Sequence, residues 1–288
     1  MKNEKRLILK RTLIYLLFAF IPPFIAVFVY VGFFGWTVDN LYYQALTAFS
    51  MLCPAIANIL TRIITKEGLE NCLFKMKIKG NIRYLVLAFL MPVVYSTVSA
   101  LAVALFLMPS DAFGEIFKNF DFKEFSSMLI YILSISALLS LFGFGEEFGW
   151  RGYLTPKLEK LMPFPVAIVV SGIIWGMWHA PIIVCGHNFG KDYFMYPYMG
   201  FILMCIFCIF IGFYFTMLTK ATNSVIPASI AHIINNNVFA VVTGLWLSGT
   251  KYFNEDMVSS INYPAISLSA TSVVCLVTGL VIIFIKKK

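Results

Sequence analysis

Charge is scarce in this chain. Its 22 Lys and Arg and 14 Asp and Glu make up 12% of 288 residues, about half the share found in soluble domains. With 60% of the residues hydrophobic, that scarcity excludes a disordered chain and an ordinary soluble enzyme, because one soluble core of this length could not hide so much apolar surface. Cysteine is also sparse: the six fall mostly in apolar runs or beside basic segments, where disulfides are not expected, so a disulfide-built scaffold is excluded. Cys205 and Cys208 form a CxxC with no second ligand pair and read as packing residues. Internal repeats, low-complexity stretches and long linkers are lacking. Residues 1–288 therefore read as one membrane domain, with a motif-bearing core at about 126–247.

What the chain has in abundance is apolar runs of about 20 residues, the length that crosses a hydrocarbon layer as a helix. Eight such windows stand out, at about 12–36, 41–65, 84–108, 126–150, 164–186, 198–218, 227–247 and 264–285. The expected fold is all-α, a polytopic membrane bundle of about eight transmembrane helices. The first window contains Pro22 and Pro23, is about 25 residues long and lacks a small-residue cleavage pattern, so it reads as a retained helix and not a signal peptide.

Alternate spans divide the basic residues unequally. Eighteen fall on the side of the N-terminus: Lys2, Lys5, Arg6, Lys10, Arg11, Arg62, the five from Lys66 to Arg83, Arg151, Lys157, Lys160, Lys220 and the three terminal lysines. Four fall on the other side, Lys118, Lys123, Lys191 and Lys251. This is the positive-inside bias, so the net charge of +8 reflects orientation against an anionic inner leaflet and not nucleic-acid binding. Both termini are expected in the cytoplasm, of a bacterial plasma membrane. The segment 66–83 mixes basic and apolar residues, as a headgroup-level segment would.

Twelve of the 14 acids lie in loops or termini; the two that do not are adjacent, Glu146 and Glu147, in "SLFGFGEEFGWRG". An acid at membrane depth costs about 2.5–3.5 kcal/mol on the lenient insertion scale, so a compensating reason is needed. Glu147 and Arg151 are spaced i,i+4 with the acid first, as an ion pair on one helix face requires. Glu146 points about 100° away. It needs a wet cavity, which suits a general base, unless the helix simply ends at Gly145.

Two further polar sets favour the cavity. "GIIWGMWHAP" places His179 in an apolar helix one turn after Trp175, and "PASIAHIINNN" places His232 and Asn236 on one helix face. Asn235 and Asn237 point elsewhere and read as interhelical hydrogen-bond partners. His187, the third histidine, reads as an exposed loop residue. A hydrolytic site needs a proton acceptor, a group to hold water and donors for an oxyanion. Glu146 and His179 can supply the first two, and His232 and Asn236 the third. Neither a G-x-S-x-G serine nor an H-E-x-x-H pair is present. Metal-assisted chemistry with Glu146, His179 and His232 around Zn2+ is the alternative that spacing leaves open.

At these positions the sequence resembles the CPBP family, the CAAX proteases and bacteriocin-processing membrane proteins that include type II CAAX prenyl endopeptidases and the Abi proteins. The family pattern EExxxR, FxxxH, HxxxN reads here as Glu146, Glu147 and Arg151; Trp175 and His179; His232 and Asn236. Trp175 stands where the family usually has Phe, a change expected to alter pocket shape more than chemistry. The resemblance implies an intramembrane endopeptidase acting on a membrane-associated peptide or protein. Its cavity would open to the cytosol, Glu146 and His179 would activate water, His232 and Asn236 would stabilise the oxyanion, and Glu147 and Arg151 would support the site. It also allows a non-catalytic scaffold or a bacteriocin self-immunity partner. Buried acids and histidines suit an ion-coupled carrier too, but no inverted repeat is detectable.

Overall fold

The structure, a computed structural model, describes residues 2–35 and 37–287, and among them every regular element is helical. The first half comprises α1 (Lys2–Phe34), α2 (Leu41–Ser50), α3 (Cys53–Ile64), α4 (Ile82–Leu107), α5 (Ala112–Asn119), α6 (Phe122–Leu138) and α7 (Ser140–Gly149). A π-helical turn (Trp150–Leu154) leads into α8 (Thr155–Leu161), followed by α9 (Phe164–Trp178), α10 (Ala180–Val184), α11 (Tyr198–Thr222), α12 (Ile226–Leu247), α13 (Glu255–Ser259) and α14 (Asn262–Lys287). Proline opens α3, α8, α9 and α12 at a position where its missing N–H is harmless.

Six helical stretches among the described residues are long and apolar enough to span a membrane: Asn3–Phe34, Leu41–Ile64, Ile82–Leu107, Tyr198–Thr222, Ile226–Leu247 and Asn262–Lys286. The other two expected spans depart from a simple rod. The window at 126–150 is a pair, Phe122–Leu138 and Ser140–Leu161, bent by 59°. That at 164–186 is the short helix α9 followed by α10. The bend and the short helix coincide with the polar motifs, where straight apolar rods would leave carboxylates in lipid. Large apolar side chains such as Phe28, Phe33, Leu138 and Phe284 point outward, as lipid-facing residues do.

The bundle has two chemically distinct ends. At one, Glu67 takes an ion pair from Lys157, a hydrogen bond from Tyr153 (2.9 Å) and the approach of Arg11 (3.5 Å), Lys220 pairs with Glu159, and Lys286 reaches the carbonyl of Lys220. The basic segment 66–81 docks here through the N–H of Val225 on the carbonyl of Leu73 (2.8 Å). At the other end, Tyr252 bonds Asp111 (2.7 Å), Thr250 and Lys251 meet Glu115, and Asn119 bonds the carbonyl of Gly249 (2.6 Å).

Helix α7 enters the bundle through glycine. A Cβ on Gly145 would lie 2.7 Å from the carbonyl oxygen of Met51, and one on Gly149 would lie 2.3–2.6 Å from Pro54. Small residues therefore let α7 reach the α2–α3 backbone. The π turn that follows α7 interrupts the regular ladder, and Asn58 of α3 meets the carbonyl of Phe148 with its Nδ2 (2.9 Å) while Arg62 holds Asn58 (2.7 Å).

Candidate active site

Helices α7, α9 and α12 bring the three motifs together. Glu146, Trp175, His179, His232 and Asn236 all line one cavity of about 700 Å³. Glu147 and Arg151 stand behind its floor, 0% and 3% exposed. The chain continues helically past Arg151 to Leu161, with a 59° bend before Ser140, and that path lets Glu146 share a cavity with His179.

Glu146 is held by two indoles. Its Oε2 accepts from Trp175 Nε1 at 2.7 Å and from Trp150 Nε1 at 3.0 Å, leaving Oε1 facing His232 Nε2 at 3.8 Å. Fixed donors on one oxygen both stabilise the anion and set its orientation. Trp150 lies one turn after Glu146 and reads in sequence as apolar core; it is braced by Tyr15 of α1 and by Trp178 in edge-on contacts, each 5.9 Å between centroids. The indole at position 175, where the family usually has Phe, does more than shape the pocket, because its N–H adds a hydrogen bond to the carboxylate.

Glu147 performs a separate task. Its Oε1 accepts from Arg151 Nη1 at 2.8 Å and from His232 Nδ1 at 2.7 Å. A carboxylate paired with arginine only accepts, so His232 carries its proton on Nδ1 and turns Nε2 toward Glu146. The Arg151 guanidinium lies 4.1 Å from the Trp175 ring centroid and 5.2 Å from that of Phe215. It fits there because residue 212 is glycine: a Cβ would sit 2.8 Å from Arg151 Nη2. The same cation therefore neutralises Glu147 and stacks on the indole that donates to Glu146.

His179 ends α9, and its Nδ1 meets the carbonyl of Trp175 at 2.9 Å. A carbonyl cannot donate, so Nδ1 bears the proton and Nε2 is left as an acceptor. Asn236 is oriented by a chain reaching back to α4: Tyr95 donates its OH to Asn235 Oδ1 (2.8 Å), and Asn235 Nδ2 donates to Asn236 Oδ1 (3.1 Å). Both Nδ2 hydrogens of the exposed Asn236 remain for a ligand. Asn237 bonds Ser136 of α6 (3.2 Å), the interhelical role expected of it. Asn235 does more than that role, since it also lines the cavity.

His187 is not a free loop residue. It lines the cavity and packs on Tyr43, 6.0 Å between centroids. All six cysteines are free thiols, with Cys208 buried and Cys205 partly so. Glu146, His179 and His232 share the cavity, but among the described residues no three His, Cys, Asp or Glu side chains converge as a metal-binding group. One oxygen of Glu146 is already engaged by two N–H donors.

The cavity lining also includes His187–Gly190 and, further along the chain, Val258, Ser259, Tyr263, Pro264, Ser267 and Leu268. Those segments flank α10 and α13, at the end opposite Arg11, Lys157 and Lys220.

Residues 124–238 match the family model of type II CAAX prenyl endopeptidases of the Rce1-like kind. The chain is also 27% identical over 175 residues to a protein of Methanococcus maripaludis described as CAAX prenyl protease 2. That alignment covers 59% of this chain and 60% of the relative, so the chain spans about three fifths of the relative's length. The matched segment holds all three motifs, so over that stretch the chain is similar to the type II CAAX prenyl endopeptidases.

Proposed function

We propose that the chain is an intramembrane endopeptidase that hydrolyses a peptide bond of a membrane-associated peptide or protein. The observation that carries this reading is Glu146 at the cavity floor, one oxygen clamped by two indoles and the other free opposite His232. A carboxylate fixed in this way is preorganised to take a proton from water, with no helix movement at the moment of reaction.

In this reading water lies between Glu146 Oε1 and the cavity, with His179 Nε2 as its second acceptor. As water attacks the scissile carbonyl, Glu146 takes a proton and negative charge develops on the carbonyl oxygen. Asn236 Nδ2 donates to that oxygen. His232 donates through Nε2 when the ring is protonated, a form that Glu147 on Nδ1 supports. Glu146 then returns its proton to the leaving amine. Arg151 pairs with Glu147 and takes no part in proton transfer.

The test is hydrolysis of a quenched-fluorescent CAAX-type peptide, prenylated and unprenylated, by purified protein. Glu146→Gln and His179→Ala should each lose about 10²-fold or more in kcat, the scale of a missing general base or water ligand. No hydrolysis by the wild-type protein would favour a non-catalytic scaffold or immunity partner, and wild-type rates in both variants would remove Glu146 and His179 from the mechanism. Loss of activity with a chelator, restored by Zn2+, would replace the glutamate–water mechanism with a metal-assisted one.

A further inference from the structure

Away from the motif-bearing cavity, a second hollow of about 360 Å³ lies between the start of α9 and the last turns of α11 and α14. It is lined by Phe164, Met217, Ile282, Ile283 and two lysines, Lys220 and Lys286. Helical spacing sorts these by depth. Met217 precedes Lys220 by three residues, and Ile282 and Ile283 precede Lys286 by four and three, so each lysine lies one turn nearer the helix end than the apolar side chains it covers. The two helix ends meet where the Lys286 ammonium donates to the carbonyl of Lys220 (2.7 Å). One turn deeper α11 and α14 are in direct contact: Phe213 fills the notch at Gly279, where a Cβ would lie 2.3 Å from the ring.

Both helices belong to stretches long and apolar enough to cross a membrane, and both lysines fall within two residues of the end of their stretch. The lysines therefore sit at headgroup level, with the four apolar side chains at the level of the first acyl carbons. This layering holds whichever leaflet the end occupies. Charge gives the hollow a sign. Among the described residues Lys286 bonds a carbonyl and no carboxylate, which leaves two N–H donors for a ligand. Lys220 pairs with Glu159 and lies 4.5 Å from the Phe164 ring centroid, but the exposed Lys160 follows Glu159, and two more lysines follow Lys286 in sequence. The mouth is net positive and the wall is apolar.

We infer that this hollow is a binding site for one anionic phospholipid, with its phosphate on Lys286 and Lys220 and the start of an acyl chain against Phe164, Met217, Ile282 and Ile283. Its volume of about 360 Å³ is at the low end of the range for small-molecule sites, about 300–1,000 Å³. It therefore holds the glycerol-phosphate region and the first methylenes of one chain, and the rest of the lipid stays in the bilayer. Val281 and Phe284 beside it are exposed, so the chain leaves the hollow onto a lipid-facing surface. A free phosphate would satisfy the lysines and leave the apolar wall uncovered, whereas a zwitterionic lipid would bring its own cation to a cationic mouth. The bound lipid ties the start of α9, the helix that carries Trp175, to α11 and α14 without touching the motif residues.

The test is native mass spectrometry of the full-length protein in detergent, titrated separately with phosphatidylglycerol, phosphatidylcholine and inorganic phosphate. One retained phosphatidylglycerol, with the other two retained weakly or not at all, is the expected result. Lys220→Gln combined with Lys286→Gln should raise the Kd for phosphatidylglycerol about tenfold or more, the scale of two interfacial lysines. Ile283→Trp, which fills the hollow and keeps both lysines, should raise it as well. Lys118→Gln combined with Lys123→Gln removes the same charge at the other end of the bundle and should leave the Kd unchanged. Equal retention of phosphatidylcholine, tight binding of inorganic phosphate alone, an unchanged Kd in either hollow variant, or an equal rise in both lysine pairs overturns the inference. If Ile283→Trp fails to accumulate, the lysine pairs decide the matter, since all four side chains are exposed. None of these readouts requires turnover, so the result stands apart from the hydrolytic reading.

Discussion

The indole N–H of Trp175 lies 2.7 Å from Oε2 of Glu146, while the face of the same indole lies 4.1 Å from the guanidinium carbon of Arg151. One side chain thus links the cation of the support to the anion of the floor. A hydrogen bond to a charged group contributes about 1.5–3 kcal/mol. Trp175→Phe keeps an aromatic ring and deletes the N–H, so kcat should fall about tenfold or more with KM little changed. Steady-state kinetics on the purified variant check this. An unchanged kcat would mean that Trp150 alone suffices to hold Glu146.

Among the described residues Arg151 is the one Lys or Arg bonded to Glu147, and both are almost wholly buried. Removing one partner of such a pair costs about 3–5 kcal/mol, because the other charge is stranded. Arg151→Ala should therefore fail to accumulate or should unfold at markedly lower temperature in detergent. Glu147→Gln keeps the shape but loses the anion that fixes His232. It should accumulate better than Arg151→Ala and still lose kcat. Size-exclusion profiles and thermal melts separate the two outcomes.

Much of the site was legible in sequence because helical spacing alone dictates it. The i,i+4 pairs Glu147–Arg151 and His232–Asn236 need no tertiary information to share a face. What escaped was contributed by residues that look like core. Trp150 reads as apolar filling, although its N–H is a second clamp on Glu146. Tyr95 lies 140 positions from Asn235, beyond any local pattern. His187 looked exposed because its partner, Tyr43, comes from α2. The spans show the same division. Six windows are helices long enough to cross, whereas the two that carry Glu146 and His179 are bent or short, since polar residues and close glycine contacts govern them more than hydrophobic length does.

Close packing of α7 gives a prediction with an internal control. A Cβ at Gly149 would overlap Pro54, backbone included, at 2.3–2.6 Å, whereas one at Gly152 would meet its neighbours at ordinary distances of 3.4–3.6 Å. Overpacking of this kind costs about 1–3 kcal/mol or more. Gly149→Ala should lower accumulation and apparent Tm, and Gly152→Ala should leave both near wild type.

Glu67 makes stability depend on pH. Its burial alone would raise its pKa, but hydrogen bonds from Lys157 and Tyr153 and the charges of Lys157 and Arg11 outweigh that and hold it below the usual glutamate value. A carboxylate with a depressed folded pKa stabilises the fold above its unfolded value, about 4.3, and loses that contribution as pH falls through the folded value. Glu67→Gln should therefore melt below wild type at pH 7, and the difference should close as the pH drops below about 4. A difference independent of pH would show that the ion pair with Lys157 contributes nothing through charge.

The most direct measurement of the central claim is single-turnover peptide cleavage by wild type and Glu146→Gln, matched for accumulation, melting temperature and detergent. Gln keeps the size of the side chain and removes the base. Cleavage by wild type and a loss of about 10²-fold or more in the variant is the predicted result. A Glu146→Gln protein that folds as wild type and cleaves at the wild-type rate would contradict the account.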